Sequence, residues 1–378
     1  MTLIYIVAGE ASGDVLGARL MAALRRARPG LDFAGVGGAR MAEQGLQSLF
    51  PLADLAVMGL AEILPRLALL RRRLAEVGAD LARRRPAVVV TIDSPGFTLR
   101  VLKQAAVLGL RRIHYVAPQV WAWREHRVRH FPGLWDRLLC LLPFEPAFFA
   151  RHGLEARFVG HPVLESGADA GDAGRFRAAH GLAPETPVVV LMPGSRRSEV
   201  PRLLPVFGDT VARLPREVVP VVPVSAVVAD TVRRAAARWA VQPIVVETLQ
   251  GKHDAFAAAA AALAKSGTST LELALAGVPM AVTYRVNPLT AMAARRLIRV
   301  PYAAMVNLLA GRALVPELLQ QACNGRELAA MIERLLGDGA MAAAQRDGFQ
   351  GVVAQLRAPA GLPSDAAARE VLELLDQA

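Results

Sequence analysis

Residues 3–14 read Leu-Ile-Tyr-Ile-Val-Ala-Gly-Glu-Ala-Ser-Gly-Asp: an apolar run, then a turn of small and acidic residues between two glycines. Leu3–Ala8 lacks the alternation of a half-exposed strand, so it reads as a strand buried on both faces. Gly9–Asp14 follows at once and opens a helix. Such a strand, turn and helix aim backbone N–H groups and a positive helix end at whatever sits above the sheet. The glycines are four apart and G-x-G-x-x-G is missing, so this is not a dinucleotide fingerprint. For Ser12 and Asp14, helix capping is the plainer role. Glu10 precedes the helix at a strand end and is harder to account for as a cap.

The same plan recurs downstream. Phe33–Val36, Val88–Ile92, Ile113–Ala117, Leu138–Leu142 and Arg157–Val159 read as further strands, several uniformly apolar. Apolar strands separated by helices imply a parallel sheet covered on both faces. Glu165–Gly174 is small, acidic and glycine-rich and reads as a linker. The pattern restarts at Val188–Met192 and continues through Val218–Val224, Ile244–Glu247, Ala262–Lys265 and Met280–Thr283. Beyond about residue 324 only helices are expected: Arg326–Leu336, Met341–Leu356 and Ser364–Leu375. The expected fold class is α/β, with two doubly wound, Rossmann-like domains, an active-site cleft between them and a helical tail. The expected bounds are 1–165, 166–340 and 341–378. The tail either packs back on the first domain or swaps within a homodimer. In such sheets ligands bind beyond the carboxyl ends of the strands.

Composition narrows the setting. The 378 residues are 53% hydrophobic and 20% charged, which suits packed domains and not a disordered chain. No apolar run is long enough to span a bilayer, and the first residues lack the basic region of a secretion signal. Two cysteines, Cys140 and Cys323, make no disulfide framework or metal spacing, so a cytoplasmic chain is expected. The net charge of +11 points to a polyanionic partner: substrate phosphates, an anionic membrane or nucleic acid.

Five further stretches carry chemistry. Asp93, in Ile92-Asp93-Ser94-Pro95-Gly96-Phe97, sits at the tip of a buried strand, where a carboxylate meets ligand or caps the next helix. Trp121 and Trp123, beside Gln119 and Arg124, make a stacking platform for a sugar or acyl chain, or else lock a loop. His126 and His130 are four apart on an expected helix, but Arg124, Arg127 and Arg129 would repel a metal, and no metal is expected. Gly194, Ser195 and Arg196 after a strong strand suit a diphosphate. Ser266, Gly267, Thr268 and Thr270 form a second turn able to line the same anion, with Glu272 placed to bridge ribose hydroxyls. Between Val57 and Val77, Leu60, Ile63, Leu64, Leu67, Leu70, Leu74 and Val77 recur near helical spacing, with Arg66 and Arg71, Arg72 and Arg73 beside them. That helix, broken or kinked at Pro65, either faces the core or settles into anionic lipid.

Taken in order, these motifs resemble the lipid-A-disaccharide synthase family of GT-B glycosyltransferases. The matching stretches are GEASGD at 9–14, GVGG at 35–38, VMG at 57–59, IDSPGF at 92–97, PQVWAWR at 118–124, LPFE at 142–145 and VGHPV at 159–163. They continue with PGSRRSEV at 193–200, SGTSTLE at 266–272, YR at 284–285 and NLLAGRALVPELLQ at 307–320. The resemblance implies that UDP-2,3-diacylglucosamine and 2,3-diacylglucosamine 1-phosphate (lipid X) are joined in a β-1,6 linkage with release of UDP. It implies Asp93 as base, Arg196 on the diphosphate, Glu272 and Asn307 near ribose and UDP, and Glu10 and Ser12 on the acceptor side. No cofactor is implied. Because both substrates carry acyl chains, it also implies a cytoplasmic enzyme peripheral on the inner membrane. Met58, Leu60, Ile63, Leu67, Leu70, Arg71–Arg73, Trp121 and Trp123 would lie on the acceptor or membrane side. The sequence departs from the family pattern at Met305-Val306, where Leu-Pro is expected, and at Thr98, where Asn is expected.

Two rivals make different demands. Another GT-B protein, such as a UDP-N-acetylglucosamine epimerase, would lack the basic apolar segment and the tryptophan motif. A non-catalytic nucleic-acid binder would interleave Lys and Arg with stacking aromatics, whereas Arg71–Arg73 and Arg83–Arg85 are flanked by Leu and Ala. No nucleic-acid partner is expected, and the missing glycine fingerprint argues against a nicotinamide oxidoreductase.

Overall fold

The computed structural model describes residues 2–55, 60–197, 199–287 and 300–377. The chain divides into two compact units, Met1–Pro162 with Leu356–Ala378, and Val163–Gln355. The 341–378 stretch expected as one tail is therefore split. The helix Gly339–Gln355 belongs to the second unit, and only the last helix, Pro363–Asp376, joins the first.

The first unit is a six-stranded sheet of β1 (Thr2–Ala8), β2 (Leu31–Val36), β3 (Val88–Ile92), β4 (Arg111–Tyr115), β5 (Arg137–Cys140) and β6 (Ala156–Phe158). The order is β2-β1-β3-β4-β5-β6, every pair parallel. Alternation along β1 accounts for its all-apolar sequence. Ile4, Ile6 and Ala8 pack with Leu16 and Leu20 of the helix Ala11–Ala27 and with Val371 and Leu375 of the last helix. Tyr5 and Val7 face Val77 and Leu81 of the helix Leu60–Arg84 and Val101 of the helix Pro95–Val107. Both faces are covered, so neither tolerates a polar stripe.

The second unit repeats the scheme with β7 (Val188–Met192), β8 (Val219–Pro223), β9 (Ile244–Val246), β10 (Ala259–Lys265), β11 (Met280–Tyr284) and β12 (Glu317–Leu319). Its order is β12-β11-β10-β7-β8-β9, again parallel throughout. The three-residue strand β12 has no counterpart in the sequence reading.

Two local expectations are corrected. Residues 165–174, read as a linker, are docked onto the second unit: Asp172 caps the helix Ala173–His180, and Asp254 grips both the Asp172 N–H (2.9 Å) and Arg175 (2.6 Å). A Cβ on Gly171 would run into the His253 carbonyl, so glycine here marks close packing. His126 and His130 lie on a 3₁₀ helix, Glu125–His130, where residues four apart do not share a face. Among the described residues no helix is long and apolar enough to cross a membrane.

Candidate active site

In each sheet the strand order reverses once, between β1 and β3 in the first unit and between β7 and β10 in the second. Loops diverge at such a switch point and leave a crevice above the carboxyl ends of the strands. The four glycine-bearing motifs fall at these two points: residues 9–14 after β1, 92–97 at β3, 193–200 after β7 and 266–272 after β10.

In the first unit Ala8 pairs with Ile92, which sets the two loops side by side. A Cβ on Gly9 would collide with Cβ of Ser94, so only glycine lets them close. Glu10 is the half-buried N-cap residue of its helix, and its side chain makes no capping bond. Ser12 is exposed in the first turn. Asp14 is buried and caps a different helix from the one expected. Its carboxylate accepts from the N–H groups of Gly38 (2.7 Å), Arg40 (3.0 Å) and Met41 (3.1 Å), anchoring the 35–38 glycine loop.

Asp93 and Ser94 both have left-handed backbones, with φ of 54° and 48°. Each such non-glycine residue costs roughly 1–3 kcal/mol, which the surroundings must offset. The Asp93 N–H donates to the Tyr115 carbonyl (2.9 Å), and Asp93 Oδ1 accepts from the Ser94 N–H (2.7 Å). The buried Thr98 hydroxyl donates to the Asp93 carbonyl at 2.6 Å. The cap of the following helix is Ser94, which makes no side-chain capping bond, so capping does not account for Asp93. The turn lifts a half-buried carboxylate to the rim of the sheet.

Trp121 and Trp123 part company. Trp121 Nε1 donates to Glu145 at 3.0 Å, and its ring meets Phe144 edge-on, so it locks the loop instead of offering a platform. Trp123 is 41% exposed, with the Arg124 guanidinium 3.6 Å above its ring centre. Glu145 also accepts from the N–H groups of Leu141 and Leu142. Burial pushes its carboxyl up to about 7, against the opposing pull of those hydrogen bonds.

The helix Leu60–Arg84 runs as one span through Pro65. Met58 lies outside the described residues, as do the side chains of Leu60 and Ile63. Leu67 is 37% exposed, whereas Leu70 and Leu74 pack against the core. Arg71 and Arg72 are exposed, the latter 3.4 Å from Glu76. Arg73 is no lipid-facing cation: it is held by Asp54 (2.6 Å) and Glu76 (2.6 Å) over the Phe50 ring.

In the second unit Gly194 turns with φ of 100°, leaving Ser195 and Arg196 exposed. Beneath them Glu199 pairs with Lys265 at 2.8 Å and with Arg196 at 3.4 Å. Burial works to raise the Glu199 carboxyl, but these two cations together bring it below its ordinary value. Neither Lys265 nor Glu199 stood among the sequence candidates; the signal was a lysine ending an otherwise apolar strand. Gly267 turns with φ of 155°, and Thr268 is exposed beside it. Glu272 is gripped at both oxygens, 2.8 Å each, by Lys252.

Three expected contacts, those of Thr270, Asn307 and the Ser266 hydroxyl, are taken up inside the protein. The Thr270 hydroxyl donates to the Gly267 carbonyl (2.8 Å). Asn307 is fully buried: its amide donates to the Val315 carbonyl (2.9 Å) and to Glu317 (2.8 Å) and accepts from the Val315 N–H (2.8 Å). Glu317 also accepts from the N–H groups of Ala303 and Ala304, and Ser266 Oγ donates to the Ala303 carbonyl (2.7 Å). Asn307 thus reaches the Ser266 turn through a chain of bonds, and Met305-Val306 opens a regular helix, Met305–Ala310.

Two doubly wound parallel units with loops gathered at their switch points are the architecture of the GT-B class. Among solved structures, the UDP-GlcNAc 2-epimerase of Neisseria meningitidis matches with a TM-score of 0.65 at 12% identity, covering 100% of both chains. MurG of Acinetobacter baumannii matches at 0.57 and 13%, again over 100% of both. At these identities the likeness speaks for the fold alone. The family model described as lipid-A-disaccharide synthetase matches residues 4–371. Curated lipid-A-disaccharide synthases of Gluconobacter oxydans and Granulibacter bethesdensis are each 60% identical over 99% of this chain, covering 91% and 99% of their own lengths. The chain belongs to the lipid-A-disaccharide synthetase family and is a glycosyltransferase of lipid A synthesis.

Proposed function

We propose that the chain transfers 2,3-diacylglucosamine from its UDP donor to the 6-hydroxyl of lipid X by a single inverting displacement at Asp93. The acceptor oxygen attacks the anomeric carbon and the bond from that carbon to the diphosphate breaks. UDP leaves with the electron pair, and the acceptor proton passes to the Asp93 carboxylate. A placed base of this kind is worth about 10²–10⁴ in rate. The observation that carries the reading is the fall of all four motif loops at the two switch points, with Asp93 held in a strained turn at one. In this reading Gly194, Ser195, Arg196, Gly267 and Thr268 receive the diphosphate and Glu272 receives the ribose. Ser266, its hydroxyl and N–H already donated within the protein, holds its turn in place. Thr270 and Asn307 shape those loops, while Glu10 and Ser12 flank the acceptor. Exposed Leu67, Arg71, Arg72 and Trp123 suit an acylated substrate presented at the cytoplasmic face of the inner membrane.

The test is UDP release from UDP-2,3-diacylglucosamine in detergent, with and without lipid X. Release should depend on lipid X and fall at least about a hundredfold in Asp93→Asn and in Arg196→Ala, both remaining folded. A silent native enzyme overturns the reaction. An active Asp93→Asn moves the base elsewhere.

A further inference from the structure

Lys265 is the last residue of β10, one step beyond the Ala264–Met192 pairing, and it stands between the two glycine turns of the second switch point. Its stem lies 3.4 Å from where a Gly194 Cβ would be, and its ammonium 4.0 Å from the equivalent point on Gly267. Both glycines turn with positive φ there and place no side chain of their own over the lysine. The side chain is only 13% exposed, a costly place for a charge unless it is used. Glu199 holds the ammonium at 2.8 Å, and the Tyr284 ring lies 5.2 Å from it. The same Glu199 is shared with Arg196 at 3.4 Å and with the Tyr284 hydroxyl at 3.5 Å. Two cations therefore rest on one carboxylate, leaving a surplus positive charge at the lip of the β7 and β10 loops. An ammonium has three N–H donors, and one carboxylate oxygen satisfies only one of them.

We propose that Lys265 is a second cation for the donor's diphosphate, with Glu199 as the positioning residue that holds it and Arg196 beside them on the β7 loop. This rests on the reading that the diphosphate occupies these two turns. Glu199 keeps the ammonium from folding away while the site is empty, and the remaining N–H donors meet phosphate oxygens when the donor arrives. The assignment deepens the role given to Arg196. A guanidinium on an exposed loop supplies a fork for two oxygens, whereas a lysine fixed at a strand end supplies a point charge from below.

The experiment compares UDP, UMP and uridine binding by calorimetry to the native chain, Lys265→Met, Lys265→Arg and Arg196→Ala. Lys265→Met is expected to weaken UDP by about tenfold or more, UMP by less and uridine by under about twofold; Lys265→Arg should restore much of the difference. A variant that binds UDP as tightly as the native chain, or loses all three ligands equally, overturns the proposal in favour of a purely structural ion pair. If native protein binds UDP no better than uridine, or Arg196→Ala leaves UDP affinity intact, the diphosphate reading itself falls and takes this one with it. A measurement on the native chain covers a Lys265→Met that does not fold. UDP, and not uridine, should protect Lys265 from reductive methylation, and equal labelling with either ligand overturns the proposal.

Discussion

Asp93 is presented by a backbone that resists the conformation it holds, and the side chain that restrains it is Thr98. The Thr98 hydroxyl bonds the Asp93 carbonyl from a fully buried position. Replacing it with the near-isosteric valine removes that donor without emptying space. Thr98→Val is expected to cost about 1–2 kcal/mol in stability and to lower kcat more than donor KM. Urea unfolding and steady-state kinetics would measure the two effects; unchanged kcat at reduced stability would mean that the turn holds itself. In the sequence Thr98 registers only as a departure from the family pattern, because its partner is a backbone carbonyl that no side-chain motif encodes. The places of Asp93, Arg196 and the turn glycines beyond the strand ends were legible because a strand followed by a small-residue turn is a local pattern. The contacts of Lys265, Arg73 and the Asn307 amide were not, since they depend on partners such as Glu199, Asp54 and Val315 that only the folded chain brings close.

Elements were read more surely than their edges. Of the twelve strands among the described residues, eleven were anticipated within a few residues, most of them from short, largely apolar runs between helices. Strand β12 escaped because three residues carry no period, and the 165–174 segment misled because glycine serves close packing as readily as flexibility. The 118–123 loop is tied to the 141–145 turn by one carboxyl, Glu145. With its value raised from 4.5 to about 7, folded Glu145 keeps a proton that the unfolded chain has already lost in that interval. Its contribution is therefore complete below about 4.5 and disappears as pH climbs through 7. Glu145→Gln should flatten this decline, by on the order of 3 kcal/mol. Urea midpoints of both proteins at pH 5 and 7 would reveal it. An equal decline in the variant would place its origin elsewhere.

At the scale of the whole molecule, the chain leaves its first unit at Pro162 and returns to it at Leu356. The returning helix buries Ala367, Val371, Leu374 and Leu375 against the helix Ala11–Ala27, and Arg137 reaches Glu370 at 2.7 Å. Each large apolar side chain so buried contributes roughly 1.5–3 kcal/mol, so the helix represents a large share of a domain's whole margin. Deleting residues 356–378 is expected to unfold the first unit and spare the second. Hydrogen exchange should then show β1 and β3 unprotected and β7 and β10 protected; uniform protection would show that the first unit stands without its last helix.

That closing helix also sets an order of events at the ribosome. A growing chain ordinarily finishes its amino-terminal domain first. Here residues 2–162 emerge with the helix Ala11–Ala27 on one face of their sheet but the part of that face covered by the last helix still open, and they wait while the second unit is made. The first unit is finished only when the helix Pro363–Asp376 has been made, so a ribosome that stalls short of it releases an apolar surface for chaperones to hold.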